Sequence, residues 1–222
     1  MKHGPTSTST FLFPNDIIRQ SADGSAPGNL WPQGWVNGQA IDYGMDQRVV
    51  ESADPEVGGV PNVKAALEAI PSLSIVTELG NLFDPARGIW VNPYNRGLAW
   101  ERPASVEFIN DQTHPTGGFQ TDCGIRIRGG FSRSTSNPKH ALKLYFRESY
   151  SGELKYPLFG PTGSSSFEQI DIRTAQNYSW SFGGDPNNTF LREEMSRELQ
   201  GAMGQPHARG RDFHLFLNGQ YW

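Results

Sequence analysis

Six cationic side chains lie close together within residues 124–147, GIRIRGGFSRSTSNPKHALKLYFR, a stretch that contains no Asp or Glu. Arginine and lysine side chains that are held near one another bind small anions such as phosphate through charge-assisted hydrogen bonds. The stretch therefore predicts either an anion site or a cationic surface in contact with water. The six cations are Arg126, Arg128, Arg133, Lys139, Lys143 and Arg147.

The distribution of charge along the chain favours a local anion site over a nucleic-acid interface. The formal net charge is -4, but residues 1–123 carry 7 Lys and Arg against 14 Asp and Glu, whereas residues 124–222 carry 12 against 9. Domains that bind nucleic acid usually have a high pI and a basic face. We therefore expect no nucleic-acid partner, and a small metal-bound anion fits the second half better than a long polyanion.

Two predicted strands must position these cations. In residues 124–128 and 140–147, apolar and polar residues alternate with the period of two that is typical of strands. Ile125 and Ile127 then share one face of the sheet, and the arginines that alternate with them share the other. If the two strands are neighbours, a glycine-rich loop connects them at the rim of a cationic face. A half-buried sheet whose outer face is only solvated explains the same pattern.

Few helices are expected. Residues 62–70 have helical spacing before Pro71, and the strongest helix lies in NNTFLREEMSRELQGAMG, with Asn188 or Thr189 as the candidate cap. Glu193 and Glu194 fall in its first turn, where the helix dipole favours acidic residues. Its apolar stripe consists of Leu191, Met195, Leu199 and Ala202.

The remaining elements predict an α+β fold with an antiparallel sheet. Residues 72–79 and 104–109 have strand composition, residues 1–40 are interpreted as irregular, and Asn218-Gly219 is a strong hairpin signal near the end of the sequence. Because only three residues follow that turn, we expect the chain to end in the middle of its fold. His140 falls on the apolar face of its strand and is expected to be a core residue.

Several familiar sites have no support. The single cysteine, Cys123, excludes an internal disulfide and a CxxC motif. The five histidines form no HxH or HExxH pattern, and neither GxxxxGK[ST] nor GxGxxG occurs. No apolar run approaches the roughly 18 residues that span a membrane, so no membrane span is expected. What remains is a glycine-rich loop, a strand lysine and a helix that opens with two glutamates, the order found in kinase-type phosphate sites.

Several ordered motifs resemble the CotH family, the spore coat protein H kinases. They are GIRIRGGFSRS, NPKHALKLYFR, YPLFG, IDIRTAQNYSWSF, NTFLREEMSRELQGAMGQPHARGR and FHLFLNGQYW. The similarity runs from about Trp100 to Trp222, and residues 11–102 resemble the leader of large bacterial surface proteins. The resemblance implies a leader in residues 1–100, or the exit of an upstream domain, and the N-terminal part of a CotH kinase-like domain in residues 101–222.

That resemblance also implies a fold and an activity. The fold is the N-terminal lobe of an atypical protein kinase, and the activity is transfer of the ATP γ-phosphoryl group to serines of partner proteins, with Mg or Mn. Lys139 would contact the phosphates, Lys143 being the second choice, and Glu193 or Glu194 would orient the lysine. The turn near the nucleotide comprises Arg128, Gly129, Gly130, Ser132 and Arg133.

The chain also departs from the family pattern. Family members continue beyond NGQYW to a Glu-Arg pair and to the catalytic and metal-binding aspartates, and none of these is present here. We therefore expect no catalytic residue and no metal ligand in this chain, and little or no ATP turnover by it alone. The alternative is a non-catalytic surface or coat module that binds an acidic partner or a cell-wall glycan. The resemblance suggests a bacterial spore coat or cell surface, and it does not indicate the oligomeric state.

Overall fold

A computed structural model describes residues 8–36, 39–41, 43–135, 137, 139–174, 187 and 189–222. It confirms an α+β fold that has a mostly antiparallel sheet and few helices. The helices are α1 (Pro14–Ile17), α2 (Gln47–Val50), α3 (Val60–Ala69), α4 (Leu79–Phe83) and α5 (Arg192–Ala202). The strands are β1 (Trp35–Val36), β2 (Gln39–Ala40), β3 (Ser72–Val76), β4 (Arg102–Ile109), β5 (Phe119–Ile127), β6 (Leu142–Tyr145), β7 (Leu154–Lys155), β8 (Ser166–Phe167), β9 (Gln169–Ile172), β10 (His214–Leu217) and β11 (Gln220–Tyr221).

Seven strands form the main sheet in the order β11-β10-β3-β4-β5-β6-β9. β10 runs parallel to β3, and the other neighbouring pairs are antiparallel. Two short strand pairs, β1 with β2 and β7 with β8, lie outside this sheet. β9 is therefore an edge strand of this sheet, and its residues line the candidate site.

One face of the sheet is buried in the main core. Ile125 and Ile127 of β5 lie on this face with Leu142 and Leu144 of β6, as the alternation predicted. Residues from the first hundred also belong to this core, among them Trp31, Tyr43 and Trp90, whose rings contact Trp222 directly. Burial of large aromatic side chains contributes strongly to stability, so these rings anchor the early part of the chain to the sheet.

The opposite face of the sheet is covered in part by the N-terminal segment. Thr8 Oγ1 hydrogen-bonds Ser105 Oγ at 2.7 Å, and the Thr10 amide donates to Glu107 of β4 at 2.7 Å. Phe216 of β10 packs on this side into a smaller core with residues of the first three helices. Together with β3, which lies between β10 and β4, these contacts make residues that precede position 101 an integral part of the sheet.

The predicted hairpin and the predicted helix both form. Asn218 and Gly219 have φ of 47° and 82°, as a type I′ turn requires, and β11 is a two-residue second strand. α5 begins after Leu191, which caps it without a side-chain hydrogen bond, and Glu193 and Glu194 lie in its first turn. Of the two candidate caps, Thr189 does not fill that role, and Asn188 lies outside the described residues.

Candidate functional site

The register of β5, β6 and β9 brings three of the predicted cations, Arg126, Arg128 and Lys143, to one face of the sheet. Arg126 lies opposite Lys143, and Lys143 lies opposite Asp171. Arg128 follows the end of β5 and donates from Nε to Asp171 Oδ2 at 2.8 Å, while Lys143 Nζ lies 3.1 Å from Asp171 Oδ1. A carboxylate of the edge strand therefore holds two of the six cations.

A second carboxylate holds two more cations at the other end of the same face. Glu101, whose side chain is only 3% exposed, accepts hydrogen bonds from Arg126 Nη2 at 2.6 Å and from Arg147 Nε at 3.0 Å. Gly124 makes room for it, because a Cβ there would lie 2.6 Å from the Glu101 carboxyl carbon. Four of the six cations thus have a carboxylate partner from outside the cationic stretch.

A cavity of about 460 Å³ lies beside β9. Its walls are β9, the start of α5 and the segment 208–213 that leads into β10. Six cations and four carboxylates line it, so the lining carries a positive surplus. The charged lining residues are Arg128, Lys143, Arg173, Arg197, Arg209, Arg211, Asp171, Glu193, Glu194 and Asp212.

On the α5 wall, as at Asp171, one carboxylate pairs with two cations. The Oε1 oxygen of Glu193 accepts hydrogen bonds from Arg173, which follows β9, and from Arg197, one turn further along α5. Both arginines are about one third exposed. Asp171 and Glu193 therefore each hold two cations. The N-terminal end of α5 adds the positive pole of its helix dipole.

The remaining lining residues differ in charge and polarity. Arg209 donates to Thr162 Oγ1 at 2.9 Å, and it forms no ion pair within the described part of the chain. Glu194 lies near Gly210 and Asp212, and burial, with the charges of Asp212 and Glu198, raises the pKa of its carboxyl. The apolar part of the lining includes Phe159, Phe167, Phe190 and Phe213.

The segment 208–213 is fixed by a buried ion pair that the sequence patterns did not reveal. Arg211 Nη2 donates to Asp111 Oδ1 at 2.6 Å, and Tyr156 donates to Asp111 Oδ2 at 2.5 Å. Burial alone raises the pKa of Asp111, but hydrogen bonds from Arg211, Thr113 and Tyr156 outweigh it and hold that pKa well below its ordinary value. The ionised carboxylate thus attaches this cavity wall to two distant loops.

Seven of the nine predicted site residues lie at this cavity or beside it. Arg128, Lys143, Glu193 and Glu194 line it directly. A smaller cavity of about 140 Å³ shares Arg128, Arg173 and Thr174 with it, and its other lining residues include Gly129, Gly130 and Ser132.

Gly129 is required at its position in that loop. Its φ is 96°, and a Cβ there would lie 2.1 Å from Ser132 Oγ, which donates to Arg128 O at 2.8 Å. This hydrogen bond folds the loop back next to Arg128.

The other two predicted residues, Arg133 and Lys139, line neither cavity. Arg133 is buried, and its guanidinium donates to backbone carbonyls of Pro93, Asn95, Ile127 and Gly129. It therefore fixes the loop instead of facing a ligand.

Lys139 Nζ lies 5.5 Å from the centroid of a Trp222 ring. The expectation that Lys139 contacts the phosphates thus has no support from its position, whereas Lys143, the second choice, lines the cavity.

His140 is a buried core residue, as predicted. Its Nδ1 hydrogen-bonds Ser132 O at 2.7 Å, so its ring supports the glycine-rich loop from below. Burial is the main cause that lowers its pKa, and Arg133 nearby lowers it further.

Comparison with known proteins identifies no relative. No family model matches the chain, and neither the curated proteins nor the solved structures include a significant match. Among the described residues, no group of three His, Cys, Asp or Glu side chains could hold a metal ion. The helices in the described ranges are all too short or too polar to cross a membrane.

Proposed function

We propose that the chain forms the phosphate-binding side of a nucleotide site in a CotH-type protein kinase, whose activity is transfer of the ATP γ-phosphoryl group to serines of partner proteins. One observation carries the proposal: the cavity beside β9 is lined by Arg128 and Lys143 from the sheet and by Glu193 and Glu194 from the helix. A strand lysine, a glycine-rich loop and a helix carboxylate are the parts that kinase-type sites use to hold nucleotide phosphates.

The electrostatics of the cavity suit a phosphorylated ligand. Asp171 and Glu193 each hold two cations, and the lining as a whole carries six cations against four carboxylates. Phosphate oxygens accept the charge-assisted hydrogen bonds that Arg and Lys donate. The phenyl rings of Phe159 and Phe213 on the lining offer apolar surface for a planar base.

The ion pairs differ from those of the kinase arrangement. Lys143 pairs with Asp171, and Glu193 pairs with two arginines, so no described carboxylate of α5 orients Lys143. The proposal therefore assigns phosphate contact to Arg128 and Lys143 and assigns no orienting role to Glu193. A divalent cation, Mg or Mn, would enter with the nucleotide phosphates, which are its usual ligands in such sites.

Isothermal titration calorimetry with MgATP tests the proposal. The double variant Arg128→Ala/Lys143→Ala is expected to lose more than tenfold in affinity, because a hydrogen bond to a charged group contributes about 1.5–3 kcal/mol. The matched control is Arg48→Ala/Lys155→Ala, which removes two exposed cations that do not line the cavity. Equal MgATP affinity in the two double variants would refute the assignment. Binding of an acidic peptide without binding of MgATP would favour the non-catalytic module.

A further inference from the structure

The carboxylate of Glu193 occupies a position suited to an external anion. Arg173 and Arg197 donate to the same oxygen, Oε1, from two different elements of the fold. Two guanidinium groups that converge on one oxygen form an arrangement that binds phosphate oxygens well. Here the chain's own carboxylate fills that arrangement, on the wall of the cavity assigned to phosphate.

Glu193 also attaches α5 to the edge of the sheet. Arg173 directly follows β9, so the pair Arg173–Glu193 joins the first turn of α5 to the last strand of the sheet. α5 has no buried residue, and its apolar side chains Met195 and Leu199 are 63% and 53% exposed. Because apolar burial contributes little to holding this helix, its polar contacts with the sheet carry more of the attachment.

We propose that Glu193 is an internal competitor for the phosphate group, so that anion binding and the attachment of α5 to β9 through Glu193 exclude each other. The inference rests on the proposed function, because it concerns the same cavity. A phosphate group that enters takes over the donors of Arg173 and Arg197, and the displaced Glu193 side chain turns towards solvent. Arg209, on the wall formed by residues 208–213, has no ion pair among the described residues and stabilises the incoming anion.

A competing carboxylate and an orienting carboxylate predict opposite changes in ligand affinity when Glu193 is removed. If Glu193 orients a cation for the ligand, its removal weakens binding; if it competes with the ligand, its removal strengthens binding. The two ion pairs are partly exposed, and each such pair is weak. Removal of the competitor is therefore expected to raise anion affinity by about three- to tenfold.

Calorimetry with metal-free pyrophosphate separates the two roles. Glu193→Gln is expected to bind pyrophosphate about three- to tenfold more tightly than the unmodified chain. Glu198→Gln is the matched control: it makes the same change of charge on the same helix at an exposed residue outside the cavity lining, and its affinity should change less than twofold. Weaker binding by Glu193→Gln, or equal strengthening by both variants, would overturn the inference.

Hydrogen exchange provides an independent readout. Saturating pyrophosphate should increase amide exchange in residues 193–200 of the unmodified chain, because α5 loses its attachment, and should have no such effect in Glu193→Gln. Protection of α5 by pyrophosphate in the unmodified chain would also overturn the inference. If neither pyrophosphate nor MgATP binds to the unmodified chain, the proposed function fails together with this inference; if MgATP binds but Glu193→Gln is not tighter for pyrophosphate, this inference alone fails.

Discussion

Replacing Arg211 with Ala will leave the carboxylate of Asp111 buried without its counter-ion. The Asp111 side chain is fully inaccessible to solvent. Its two oxygens accept from Arg211 at 2.6 and 3.0 Å, from the Thr113 amide and hydroxyl at 2.9 and 2.6 Å, and from the Tyr156 hydroxyl at 2.5 Å. The substitution removes the only positive partner in this set of contacts and keeps the three donors from Thr113 and Tyr156.

The expected loss of stability follows from these contacts. Breaking a buried ion pair by removing one partner typically costs 3–5 kcal/mol. Three hydrogen bonds to Asp111 remain, so we expect a loss near the lower limit, about 3 kcal/mol. Small domains have unfolding free energies of roughly 5–15 kcal/mol, so this loss is a large fraction of the total.

Urea denaturation followed by tryptophan fluorescence measures the loss. Arg209→Ala is the matched control, since Arg209 lies two residues away in the same segment and has no described ion pair; its loss should stay below about 1 kcal/mol. Adding Asp111→Asn to Arg211→Ala should restore part of the stability, because the uncompensated charge is then absent.

The pH dependence gives a second check on the same pair. Because the pKa of Asp111 is lowered by folding, its contribution to stability is present above the ordinary Asp pKa of about 3.9 and is lost as the pH falls below that value. The difference between the unmodified chain and Arg211→Ala should therefore shrink below about pH 4. A loss under 1 kcal/mol at pH 7, or a difference that is constant with pH, would refute the reasoning.

Two further predictions concern the glycine-rich loop and the residue beneath it. In the same urea assay, Gly129→Ala should reduce the unfolding free energy by about 1–3 kcal/mol, because the φ of Gly129 is positive and a Cβ would meet Ser132 Oγ. Gly130→Ala is the control: Gly130 has a negative φ and open space around it, so the unfolding free energy should change by less than about 1 kcal/mol. Because folding lowers the pKa of His140, stability is complete above the ordinary His pKa of about 6.5 and falls as the pH is lowered below it. Urea midpoints measured between pH 7.5 and 5.5 should show this fall, and His140→Leu should make the slope shallower.

Local patterns predicted β5, β6 and the faces of both strands, but not the partners of the charged residues. The alternation in residues 124–128 and 140–147 assigns Ile125 and Leu144 to the core, and both are buried there. Glu101, the residue before β4, and Asp171 of β9 each pair with two cations of this face, and these pairings depend on strand order. Periodicity within a segment contains no information about strand order.

The same limit applies to Arg133 and Lys139. The sequence groups Arg133 of the loop and Lys139 of the following strand with the other cations, but their side chains point to different partners, one to backbone carbonyls and the other to Trp222. The Asp111–Arg211 pair joins residues a hundred positions apart, and no local motif marks either residue. The sequence contains a clearer signal for Asp171. It lies on the polar face of a short alternating strand, and cross-strand pairs of opposite charge stabilise a sheet, so a cationic residue is the expected neighbour of Asp171 on the next strand.

The central position of β3 affects how the chain can fold. β3 lies between β4 and β10, and more than half of the chain separates it from β10. Pairing of these two strands must wait for the closure of a very long loop, which slows folding relative to a protein with local contacts. A fragment that starts at residue 101 lacks β3 and leaves an unpaired edge on β4 and another on β10. Exposed edges of this kind associate with other chains, so such a fragment would be expected to aggregate.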